Sequence, residues 1–90
     1  MNRVYLITYI KSQFGDYDGL NATLSAYGNN ALNYTGDYWL IKTNETAVQL
    51  NNKLKTHLVN GEHFLVIEVT RNYYGWLPNS AWVWMNANLT

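Results

Sequence analysis

The chain has 90 residues, six Lys+Arg against six Asp+Glu, and a formal net charge of zero. That length allows one small domain over residues 1–90, which hides only about 65% of the surface its unfolded form exposes. Hydrophobic residues at 48% exclude a disordered tail, while charged residues at 13% are about half the usual share. With so few charges, composition gives no electrostatic grip on nucleic acid or on a membrane surface. The absence of cysteine excludes disulfides, thiolate metal sites and a cysteine nucleophile. No apolar run reaches the roughly 18–20 residues of a membrane span, and Met1-Asn2-Arg3-Val4 does not open a secretory leader. A cytoplasmic domain is expected.

In chain order, Arg3 to Ile10 is the first strand: Val4, Leu6 and Ile10 point to one face and Tyr5, Ile7 and Tyr9 to the other. Both faces are apolar, which suits a central strand. Lys11 to Asp16 reads as a loop. Asp16 and Asp18 then sit where a helix N-terminus favours negative charge. Tyr17, Leu20, Leu24 and Tyr27 recur at helical spacing, and Gly28-Asn29 is the stop. Ala31 to Thr35 is a weak strand, Gly36-Asp37 a tight turn, and Tyr38 to Thr43 a stronger strand. Asn44 is the expected cap of a second helix striped by Ala47, Leu50, Leu54 and Leu58, which Asn60-Gly61 closes. Phe64 to Thr70 is the fourth strand, with Glu68 as its polar interruption, expected to pair with Arg71 or Arg3. Beyond it lies an aromatic segment with Tyr73, Tyr74, Trp76, Trp82 and Trp84, where Asn79 is positioned to cap a last helix carrying Trp82, Met85 and Leu89 on one face.

The order strand, helix, strand, strand, helix, strand predicts an α+β fold of the ferredoxin-like βαββαβ plan: an antiparallel sheet with two helices on one face, plus the aromatic C-terminal segment. Strands apolar on both faces then leave one sheet face to be covered. Sheet-to-sheet packing in a homodimer meets that need, as does an aromatic tail folded back over the face.

Several motifs follow one another in an order that resembles the SinR-like family. They are Tyr5-Leu6-Ile7-Thr8-Tyr9, Asp16-Tyr17-Asp18-Gly19-Leu20, Leu24-Ser25-Ala26-Tyr27-Gly28, Tyr38-Trp39-Leu40-Ile41-Lys42-Thr43, Lys53-Leu54-Lys55-Thr56-His57-Leu58 and Leu65-Val66-Ile67-Glu68-Val69. Gly75-Trp76 and Trp84 with Asn88-Leu89 extend the likeness over nearly the whole chain. That family is similar to CRISPR-associated protein two and to VapD-type toxin ribonucleases. The resemblance implies a symmetric dimer joined through sheet faces and a Mg²⁺- or Mn²⁺-dependent nuclease site built on an aspartate just after the Tyr of the first strand. Ile10 stands at that position, so the metal-ligand position is lost.

The expectation is therefore a non-catalytic homodimer without a cofactor, binding a protein or nucleotide-type partner, in the manner of a phage-borne antagonist of host defence. Tyr9, Tyr73, Tyr74 and Trp76 are the candidate ligand-binding residues, because aromatic rings stack on bases. The alternative is a metal-dependent endoribonuclease with a rearranged acidic site from Asp16, Asp18 or Asp37. His57 and His63 read as helix-end and strand-end residues, since three convergent metal ligands are lacking. No phosphate-binding glycine loop occurs.

Overall fold

The computed structural model describes residues 2–10, 17–34, 38–58, 62–70, 75 and 79–89. Four strands, β1 (Arg3–Ile10), β2 (Ala31–Tyr34), β3 (Tyr38–Thr43) and β4 (His63–Val69), form one antiparallel sheet in the order β2-β3-β1-β4. Helix α1 (Asp18–Ser25) links β1 to β2, α2 (Ala47–Leu54) links β3 to β4, and α3 (Asn79–Asn88) follows the sheet. Single 3-10 turns follow α1 at Gly28–Asn30 and α2 at Lys55–His57.

Alternation along β1 decides which side chains meet the helices. Tyr5 stands opposite Ile41 and Ile7 opposite Trp39 on β3, while Ile7 and Tyr9 stand opposite Val66 and Phe64 on β4. This face carries the core: Ile7, Tyr9, Trp39 and Ile41 pack with Leu20 and Leu24 of α1 and Leu54 of α2, and Phe64 and Val66 close its margin. Burial of such side chains contributes about 1.5–3 kcal/mol each.

The other face carries Val4, Leu6 and Thr8 of β1, set against Leu40 and Lys42 of β3 and Leu65, Ile67 and Val69 of β4. It is unevenly covered. Val4 is buried and Leu6 and Leu40 are half-buried, whereas Leu65 and Ile67 are 50% and 44% exposed. Helix α3 lies against β2, Trp84 Nε1 donates at 3.3 Å to the carbonyl of Asn29 in the 3-10 turn before that strand, and the buried residues of α3 are Ala81 and Met85.

Local signals account for the boundaries and correct three expectations. Asn44 does not cap α2; Thr46 does, its hydroxyl accepting from the Gln49 amide while Gln49 Oε1 accepts from the Thr46 amide. That reciprocal box satisfies two N–H groups at once, which a lone Asn does not. Tyr17, expected on the α1 stripe, instead precedes the helix with φ +62°. Glu68, which as the polar interruption of an apolar strand reads as a buried or interfacial carboxylate, is exposed opposite the buried Tyr5 of β1. Asn79 is the first residue of α3, and Trp82 and Leu89 are half-buried beside Met85. Gly36-Asp37, Asn60-Gly61 and Arg71 lie outside the described residues.

Candidate functional site at the carboxyl end of β1

The carboxyl end of β1, the start of α1 and the start of β4 meet at one place. Tyr9 and Tyr17 stack there with ring centroids 4.4 Å apart and planes 3° from parallel. Tyr17 adopts the left-handed conformation without being glycine, an arrangement that persists only when surrounding contacts hold it. Those contacts come from 45 and 46 residues further along the chain. The Tyr17 amide donates to Oε2 of Glu62 at 2.7 Å. Its hydroxyl donates to the His63 carbonyl and accepts from the His63 amide, both at 3.2 Å. Glu62 is only 4% exposed, and among the described residues it is the buried charged side chain. A carboxylate in that position is tolerable because it receives a backbone donor.

The Tyr9 hydroxyl donates to Oδ1 of Asn21 at 2.7 Å, tying β1 to α1. Burial pushes the Tyr9 phenol up to about 12, the negative charge of Glu62 adding to the rise. Trp39 favours the phenolate and offsets part of this rise, although its buried Nε1 finds no acceptor in hydrogen-bonding geometry. Tyr9 is thus a neutral donor over the physiological range. Its ring faces Tyr17, within the core cluster.

A second polar cluster lies around Glu45. Its Oε1 accepts from the Tyr27 hydroxyl at 2.5 Å and from Thr43 Oγ1 at 2.9 Å, and its backbone carbonyl accepts from the Tyr5 hydroxyl at 2.8 Å. Lys53 Nζ donates to the Tyr27 hydroxyl at 2.8 Å, lies 3.7 Å from Glu45 Oε2 and sits 4.5 Å from the Tyr27 ring centroid. Burial alone would raise the Glu45 carboxyl, but the hydrogen bonds from Tyr27 and Thr43 and the Lys53 charge bring it below its usual range. The hydrogen bond with Tyr27 holds Lys53 above its ordinary value against a smaller opposing effect of burial. Burial, reinforced by Glu45, raises Tyr27. Each shift favours the state present at neutral pH, so the cluster acts as a clamp between the turn after α1, the end of β3 and α2 and not as a poised acid or base.

The residues singled out in the sequence distribute unevenly. Tyr9 is in the stacked pair, and Asp18 is exposed on the first turn of α1. Ile10 ends β1 opposite His63. Asp16, Asp37, Tyr73, Tyr74 and Trp76 lie outside the described residues. His57 is exposed in the 3-10 turn after α2, and His63 is exposed at the start of β4. Among the described residues no three His, Cys, Asp or Glu side chains converge as a metal would require. Of the positions that bear on a cation, Ile10 is aliphatic, Asp18 is an exposed residue of α1, and Glu62 accepts from a backbone amide, while Asp16 and Asp37 are not among the described residues. Also among the described residues, no helix is long and apolar enough to cross a membrane.

Glu62 was missed by sequence reasoning. It follows Asn60-Gly61, which reads in sequence as a turn where acids are ordinarily solvated, and in the structure it is engaged by a distant backbone amide. No family model matches this chain, and no curated protein matches it.

Proposed function

We propose that the chain is a non-catalytic binding protein of the ferredoxin-like, SinR-like type, acting as a homodimer on a protein or nucleotide-type partner. The observation that carries the reading is the pair of exposed apolar side chains on β4, Leu65 and Ile67, on the sheet face turned away from α1 and α2. Apolar side chains clustered on a strand favour association over solvation. The ferredoxin-like plan is supported by the sheet order β2-β3-β1-β4, with β1 and β3 central and a helix in each of the two crossovers. The loss of catalysis is supported by Ile10 at the position where the resemblance implies an aspartate, and by the use of Glu62 as an acceptor for the Tyr17 amide.

Incubating the pure protein with labelled RNA and DNA in Mg²⁺ or Mn²⁺ tests the reading. Intact substrate is expected in all lanes. Cleavage that EDTA abolishes overturns it, and its loss on replacing Asp16, Asp18 and Asp37 together by Ala assigns it to the alternative acidic site.

A further inference from the structure

Strand β4 ends the sheet, and among the described residues no strand pairs with its outer edge. Its seven residues, His-Phe-Leu-Val-Ile-Glu-Val, contain neither Pro nor Lys, the usual devices that keep an edge from pairing with another chain. Among the described residues, three of the four exposed large hydrophobic side chains, Val48, Leu65 and Ile67, lie on this strand or on the helix beside it. Between α2 and β4 runs an open groove of about 290 Å³ lined by Ala47, Val48, Asn51, Phe64, Leu65 and Val66.

We infer that the β4 edge pairs with β4 of a second copy of this chain, antiparallel about a two-fold axis at Val66, to give one continuous sheet. This rests on the homodimer reading above and puts an edge-on geometry in place of the sheet-to-sheet packing expected from the sequence. A two-fold axis perpendicular to the sheet keeps each residue on its own face, so opposed residues share parity and their numbers sum to an even value. Centring on Val66 overlaps the whole strand, because Val66 is the midpoint of His63–Val69. Leu65 then stands opposite the partner's Ile67 and Ile67 opposite the partner's Leu65, so each exposed side chain gains an apolar cross-strand neighbour on its own face. Val66 meets itself, and the partner strand closes the open side of the groove beneath Val48.

Charge permits a second copy and sets its direction. The chain has zero formal net charge, so two copies approach without net repulsion. Glu68 is the only acidic or basic side chain of β4 apart from His63. Parallel stacking would set the two Glu68 carboxylates side by side, whereas the antiparallel register places each against the partner's Phe64 at opposite ends of the ladder.

The absence of cysteine allows a clean test. Directly opposed residues of an antiparallel pair have Cα atoms about 4.5–5.5 Å apart, within the range a disulfide spans. Mild oxidation of a Val66→Cys variant at micromolar concentration should give a disulfide-linked dimer on a non-reducing gel, while Val83→Cys on α3 should stay largely monomeric. Val48→Lys should weaken the unoxidised dimer by about tenfold through like-charge juxtaposition beside the dyad. A dimer by light scattering that does not cross-link at Val66 and ignores Val48→Lys overturns the edge-on geometry and leaves the homodimer standing. A parent chain that is monomeric overturns both.

Discussion

Tyr17 concentrates more constraint than any other described residue: a left-handed backbone, a stacked ring, an amide on a buried carboxylate and a hydroxyl on the backbone of β4. Replacing Glu62 by Ala strands the Tyr17 amide, and a buried donor left unsatisfied costs about 1–3 kcal/mol. Urea unfolding of Glu62→Ala should show that loss, and an unchanged midpoint would deny Glu62 its holding role. Tyr9 gives a pH prediction. Its folded-state phenol titrates near 12, above the ordinary value of 10, so its contribution is complete below pH 10 and is lost as pH rises from 10 towards 12. Absorbance at 295 nm should reveal a late-titrating tyrosine that Tyr9→Phe removes; simple titration of all phenols near pH 10 would contradict the assignment. The placement of Tyr9 on the face of Tyr5 and Ile7 was readable from alternation alone. The role of Glu62 was not, because its partner lies 45 residues away and no local pattern encodes that contact.

At the scale of elements, strands β1, β3 and β4 follow from runs of β-branched and aromatic residues, and the helix stripes from Leu20, Leu24, Leu50 and Leu54. The start of α2 was misassigned although its signal is local. Thr46 and Gln49 carry the box spacing, while Asn44-Glu45 offered a competing cap and first-turn acid. What diverts Glu45 is tertiary: Tyr27, Thr43 and Lys53 draw its carboxylate into the clamp. Thr46→Ala should therefore cost about 1 kcal/mol in thermal unfolding followed by circular dichroism, and Asn44→Ala much less. The reverse ranking would restore Asn44 as the cap. The α1–α2 layer also depends on Gly19, where an added Cβ would stand 2.8 Å from the His57 carbonyl oxygen. That neighbour is backbone and cannot swing away, so Gly19→Ala should destabilise by about 1–3 kcal/mol. The Glu45 carboxyl, held below its usual range, contributes stability above that range and loses it as pH falls through its lowered value. Glu45→Gln should flatten the acid limb of the stability profile.

At the scale of the molecule, the sequence anticipated strands apolar on both faces, and among the described residues the structure locates three of the four exposed large hydrophobic side chains on β4 and α2. Periodicity places residues on faces, but it does not order strands, so that β4 lies at an edge came only from the pairing. A small chain with an unprotected apolar edge gains by association, and that gain is the central claim. Light scattering at micromolar concentration tests it most directly. The account predicts about twice the 10.4 kDa chain mass across that range. A single species at 10.4 kDa, unchanged as concentration rises, would contradict it.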